Sequence, residues 1–244
     1  MSHPLEALRQ MEYPGRVIIL GRDPSDECDV IVYAVTGRSP SSQARRLEQD
    51  GNAVVTKPTD PEILKTGNPD LLVYPAVCFG RRPAVSNGKQ TEDVARAGAD
   101  RPVAALETGL RNWSFEPDAP IFTPRISGLL WPDGRAALSL IKRGDDGTAR
   151  RLYFEFLLRP GRAEMIATYA GPNQNPLPVF RGEPLPLTLT EGTARANAEA
   201  FYEALRPDNR LEDFRVAAAC VFISRKDPAR PTIAIINRPE RKTA

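Results

Sequence analysis

A chain of 244 residues with a formal net charge of only +2 carries no global basic field to draw in nucleic acid, and no stretch is apolar for long enough to span a membrane. Its single histidine, His3, and its scattered Cys28, Cys78 and Cys220 argue against a histidine-dependent triad, a zinc site and a disulfide framework. Acid–base chemistry therefore falls to carboxylates, tyrosine, lysine or water.

Residues 1–11 read as an exposed, mostly polar lead-in with a single helical turn and no apolar signal core, as expected of a cytoplasmic protein. A strand is predicted over 15–20, ended by Gly21 and the turn Asp23-Pro24-Ser25, with an antiparallel partner over 29–36. Residues 37–46 form a polar loop, 53–56 a short strand and 61–65 a turn of helix.

The stretch 66–93 organises the chain. Residues 71–79 are an apolar run too short for an average helix, bounded by Asn68-Pro69 and Gly80, which predicts a buried strand. Residues 84–86 end a second strand, and the break between makes the two a hairpin. Asn87-Gly88 is a turn signal because both residues tolerate positive φ. Thr91 then opens a helix, with Glu92 and Asp93 suited to the positive end of its dipole. Such a geometry aims backbone N–H groups and short polar side chains at one point, where an anion or polar ring can be held. An ordinary hairpin followed by a capped helix would read the same way.

Further on, Val103, Leu106 and Leu110 share one face of a helix over 102–111, which the proline-rich 117–124 ends. Strands over 126–130, 136–143, 151–159 and 163–169 read as a four-strand meander, followed by a proline-rich surface loop over 171–186. A helix over 192–206 and strands over 215–225 and 232–238 close the chain. Helices segregated from antiparallel strands argue an α+β fold: two packed, mostly antiparallel sheets with helices outside, which periodicity cannot tell from one strongly curled sheet.

Of the 33 basic residues 27 are arginine, the planar bidentate choice for phosphate and carboxylate. A biased genome composition gives the same excess, so function rests on placed arginines. Arg38, Ser39 and Arg45 lie in the first strand-end loop, Tyr74 interrupts an apolar run, Ser86-Asn87-Gly88 forms the turn, and Glu116 precedes Thr123-Pro124-Arg125. Singly, each has a dull explanation: Tyr74 as a core aromatic with a satisfied hydroxyl, Glu116 as a solvated loop residue, Arg125 as a surface pair.

Together they resemble the archaeal-type IMP cyclohydrolases. The likeness runs from Gly15-Arg16 and Gly21-Arg22 through Arg38-Ser39, Asn68-Pro69 with Tyr74, Ala84-Val85-Ser86-Asn87-Gly88 with Thr91, and Thr123-Pro124-Arg125-Ile126. It implies a four-layer α-β-β-α sandwich like that of the amino-terminal-nucleophile hydrolases, without the processed nucleophile, formed by residues 12–244 as one domain. The implied reaction closes a formylated aminoimidazole carboxamide ribotide to IMP with loss of water, in de novo purine biosynthesis. By this resemblance Arg45, Tyr74 and Glu116 are the catalytic residues, and Arg38, Ser39, Ser86, Asn87, Gly88, Thr91 and Arg125 bind the substrate. Asn87 would read the base, and Arg38 or Arg125 with the turn N–H groups would hold the phosphate. No metal or cofactor is implied, the partner is the purine ribotide, and a homo-oligomer is compatible with the sequence. A longer Arg38–Arg45 loop makes Arg46 an alternative to Arg45, and Lys89, Gln90 and Glu92 depart from the family pattern. A non-catalytic ribotide-binding regulator would keep the same pocket. An RNA-binding module would need basic patches interleaved with aromatics, which are absent.

Overall fold

The structure, a computed structural model, describes residues 4–60, 62, 69–206 and 212–239. His3, Asn68 and, Glu62 apart, the helical turn expected over 61–65 lie outside the described residues.

Two sheets pack face to face. The six-stranded sheet contains β1 (Arg16–Arg22), β2 (Cys28–Thr36), β10 (Arg162–Ala167), β11 (Leu185–Thr188), β12 (Arg215–Ser224) and β13 (Thr232–Asn237), in the order β11-β10-β1-β2-β12-β13. The seven-stranded sheet takes its strands in chain order: β3 (Arg45–Asp50), β4 (Ala53–Pro58), β5 (Tyr74–Cys78), β6 (Ala84–Ser86), β7 (Arg125–Leu130), β8 (Arg135–Arg143) and β9 (Ala149–Leu157). Neighbouring strands in both sheets pair antiparallel.

Helices cover the outer faces. α4 (Gln90–Arg96) and α5 (Pro102–Gly109) pack on the seven-stranded sheet, and α6 (Ala194–Ala204) on β12 and β13. Along β7 and β8 the period-two alternation sorts the side chains: Ile126, Leu130, Leu138 and Leu140 join the core between the sheets, while Leu129, Ala137 and Ile141 meet Val94, Leu106 and Leu110 of the helices. Gly128 marks a close approach of the sheets, since a Cβ there would lie 3.0 Å from Leu20 Cδ1 and 2.9 Å from Leu138 Cδ2. The central strands β1, β2 and β12 are largely buried on both faces, so they read as unbroken apolar runs, as in Val17–Leu20. The expected α+β sandwich of two mostly antiparallel sheets is thus observed, and it is not one curled sheet. No helix of the described residues is long and apolar enough to cross a membrane.

Several local expectations are corrected. The meander has three strands, because the chain leaves β9 for the other sheet, where β10 pairs with β1. β3 falls where the polar loop was expected to end; as an edge strand it buries only Arg45 and Leu47, too little for an apolar pattern. β11 lies at the end of the proline-rich loop, and its edge position tolerates Pro186. Residues 69–72 form a short helix, α3 (Pro69–Leu72), so β5 begins only at Tyr74; Pro69 at its start and Asp70 in its first turn favour a helical onset.

The lead-in is no free tail. α1 (Glu6–Arg9) lies against β11, with Leu5, Leu8 and Met11 buried in the main core. The short α2 (Pro40–Gln43) follows β2 and turns the chain into β3.

Candidate active site

One end of the sandwich gathers the start of β1, β5 and β7 with the end of β2, β6 and β10, because antiparallel pairing brings alternate strand termini to the same edge. Tyr74, Asn87, Glu116 and Arg125, among the polar residues singled out in the sequence, lie there.

Arg16 opens β1 and points between the sheets. Its Nη2 donates to Glu116 Oε1 at 2.5 Å, both side chains being buried. Gly15 makes that entry possible: it sits at φ +74°, and a Cβ there would run into Thr168 Oγ1 and the Tyr169 ring. Glu116 is held from the backbone as well, its N–H donating to Thr123 O at 2.8 Å. Burial pushes its carboxyl above the usual glutamate range, against the pull of Arg16 and Arg125.

Asn87 completes the clamp. Its Nδ2 donates to the same Glu116 Oε1 at 3.1 Å and to Pro124 O at 2.9 Å, while its Oδ1 accepts from Ile126 N at 2.8 Å and Gln90 Nε2 at 3.0 Å. All four hydrogen-bonding positions of the amide are therefore used by the protein. Glu116 Oε1 takes both donors, and Oε2 accepts no hydrogen bond among the described residues.

Gly88 is a glycine for a different reason from the one the Asn-Gly signal predicts. Neither Asn87 nor Gly88 has positive φ. Instead a Cβ at Gly88 would lie 2.5 Å from both Arg125 Nη1 and Gln90 Oε1, which are bonded to each other at 3.0 Å. Arg125, the first residue of β7, also lies 4.8 Å over the Trp113 ring. The Nε atoms of Arg16 and Arg125 are buried with no hydrogen-bond partner.

Within electrostatic reach of Arg16, Tyr74 Oη lies 2.8 Å from Tyr33 Oη, joining the first residue of β5 to the middle of β2. Burial pushes the Tyr33 phenol well above the usual tyrosine range, so it stays protonated. Arg45 is buried on the same side, its Nε donating to Ser42 O at 2.9 Å, whereas Arg46 faces outward to Glu48 at 2.5 Å. Strand alternation thus places Arg45, not Arg46, by the tyrosines.

A second polar path reaches the rim. Thr123 Oγ1 donates to Asp118 Oδ2 at 2.5 Å, so the Tyr169 hydroxyl, 2.8 Å away, donates to Thr123. Tyr169 stacks on Tyr13, and Arg38 lies 5.7 Å over that ring with Nη1 bonded to Asn173 Oδ1 at 3.3 Å. Burial lifts the Tyr169 phenol to about 12.

The other expected binding residues are placed differently. Ser86 shares the helix-covered face with Ala84 and bonds Ser127 Oγ at 2.9 Å. Thr91 is the second residue of α4, not its cap, and donates back to Gly88 O at 2.8 Å. Ser39 is exposed and caps α2 by accepting from Ser42 N at 3.2 Å. Arg16, Tyr33, Gln90, Thr123 and Tyr169 were not among the expected site residues. Arg16 and Tyr33 carried a signal, being polar groups inside the apolar runs of β1 and β2.

Among the described residues no group of three or more His, Cys, Asp or Glu side chains is gathered as for a metal. No match was found among curated proteins. A family model described as IMP cyclohydrolase-like protein matches residues 13–227, which include every residue of this cluster, and the chain accordingly belongs to the IMP cyclohydrolase-like family.

Proposed function

We propose that this protein closes the formylated aminoimidazole carboxamide ribotide to IMP, with Arg45, Tyr74 and Glu116 at the reacting atoms. The observation that carries the reading is the clamp on Glu116: Arg16 and Asn87 occupy one carboxylate oxygen and leave Oε2 for a substrate.

In this reading the carboxamide nitrogen bonds to the formyl carbon and gives a proton to Oε2. The formyl oxygen gains that proton and becomes a hydroxyl. It then leaves as water with the proton of the formamido nitrogen, as the new carbon–nitrogen double bond forms. Both reacting groups belong to one molecule, so fixing their orientation supplies much of the acceleration. Charge grows on the formyl oxygen, and Tyr74 and Arg45 are the donors aimed at it.

In this reading Tyr33 donates to Tyr74 across their 2.8 Å contact, which frees the Tyr74 proton for the substrate. Asn87 acts as a positioning residue for Glu116, since its amide has no hydrogen-bonding position left for a base. The phosphate goes to Arg38 or Arg125.

The test is to incubate the purified chain with the formylated ribotide and follow IMP by its absorbance. Appearance of IMP above the uncatalysed rate, strongly reduced in Glu116→Gln and Tyr74→Phe, is the expected result. Tight binding of the ribotide with no turnover would replace this reading with a ribotide-binding regulator.

A further inference from the structure

At the opposite end of the sandwich from the Arg16–Glu116 pair lies a cavity of about 770 Å3, within the size range of small-molecule sites. It opens where three hairpin turns meet: the β5–β6 turn with Phe79 and Arg81, the β7–β8 turn with Trp131 and Gly134, and the β12–β13 turn with Arg225. Turns carried on a rigid pair of sheets are where binding residues concentrate.

The walls are apolar and aromatic, with Phe79, Trp131 and Ile223. Arg82 lies 4.1 Å over the Trp131 ring and fixes the indole in place. Charge at the cavity is unbalanced toward the positive. Asp29 is engaged by Arg22 Nε at 2.9 Å, Asp26 is shared by Arg22 and Arg225, and Asp133 is engaged by Arg135 at 2.8 Å. That leaves Arg81 with no ion-pair partner among the described residues, and the buried Arg22 Nη2 with no hydrogen-bond acceptor. Among the residues that line the cavity, the arginines Arg22, Arg81 and Arg225 outnumber the carboxylates Asp29 and Asp133.

We infer that this cavity binds a small organic anion with a flat aromatic body, at a site separate from the one described above. The aromatic part would lie against Phe79, Trp131 and Ile223, with the anionic group toward Arg81. β1 joins the two ends, carrying Arg16 at one and Arg22 at the other, about 20 Å apart along the strand.

The probe is 1-anilinonaphthalene-8-sulfonate, an aromatic monoanion that brightens in apolar surroundings, titrated into the folded full chain. N-phenyl-1-naphthylamine, the same rings without the sulfonate, runs in parallel. The expected result is one saturable sulfonate site, bound about tenfold or more weakly by Arg81→Glu, a change of ~1.4 kcal/mol. The neutral dye should bind Arg81→Glu and the parent alike. Arg81 is exposed, so the variant should keep its melting temperature. Arg38→Glu, at the other end of the sandwich, should leave the dye affinity unchanged. Equal binding of the sulfonate to parent and Arg81→Glu would overturn the inference, as would loss of the dye in Arg38→Glu. Neither result bears on ribotide turnover.

Discussion

Arg16 and Glu116, 100 residues apart in the chain, meet in a buried ion pair at 2.5 Å. Such a pair offsets two desolvation costs, and removing one partner leaves the other charge stranded. Arg16→Met should therefore cost about 3–5 kcal/mol of stability. Glu116→Gln keeps the shape and an acceptor but strips Arg16 of its neutralising charge. Combining the two removes both charges, so the double variant should lose clearly less than the sum of the singles. Urea midpoints with unchanged slopes measure this coupling. Strictly additive losses would show that the pair is not an energetic unit.

The pH dependence follows from the same carboxyl. Burial raises the folded pKa of Glu116, so folding favours its protonated form. That contribution to stability is complete below the unfolded value of about 4.3 and is lost as pH rises through the folded value. Turnover runs the other way, because only the ionised carboxylate can take a proton. The acid limb of kcat/KM should lie above the ordinary value of about 4.3 and should be missing from the residual activity of Glu116→Gln. An acid limb that persists unchanged in that variant assigns the titration to another group.

The paired tyrosines separate a chemical role from a packing one. Tyr74→Phe keeps the ring and removes one hydroxyl, which in a merely structural role costs about 1 kcal/mol of stability and no turnover. Acting in the transition state, the same hydroxyl should be worth about a hundredfold in kcat, or ~2.7 kcal/mol. Tyr33→Phe should lower kcat less, with KM nearly constant, since it touches the substrate only through Tyr74. Single-turnover rates and melting temperatures for both variants decide it. Normal kcat in Tyr74→Phe with unchanged stability would remove Tyr74 from the chemistry.

What could be read in the sequence was local. Tyr74 stood out as a polar group in an apolar run, and the Ala84–Ser86 strand was legible, although neither Asn87 nor Gly88 after it takes the positive φ that the turn signal implied. Tyr33 satisfied the same rule inside Val30–Val35, yet its meaning depends on a sheet-to-sheet contact that no local pattern reports. Glu116 has no periodic signal; it sits in an irregular loop, and only the family resemblance pointed to it. Asn87 was singled out from a turn signal, which cannot show that all four hydrogen-bonding positions are filled from Glu116, Pro124, Ile126 and Gln90. The pairing of β10 with β1 is also non-local, and four strands in a row between turns look alike whether or not the last one changes sheet.

The lead-in shows how composition can mislead about stability. Residues 1–11 look polar and dispensable, since their apolar positions are few, but Leu5, Leu8 and Met11 are at most 6% exposed. Pro4 O accepts from Thr188 N at 3.2 Å, and Met11 lies against Gly171. Each buried side chain of this kind is worth about 1.5–3 kcal/mol, so together they form a large share of a stability that is typically ~5–15 kcal/mol. Deleting residues 1–11 should therefore lower the urea midpoint sharply or yield insoluble protein. Leu8→Ala alone, with a wholly buried side chain, should cost about 2–5 kcal/mol. Neither change touches the Glu116 clamp, so any Leu8→Ala protein that remains folded should keep its kcat. A deletion variant with the parent's urea midpoint would show that this packing contributes nothing to stability.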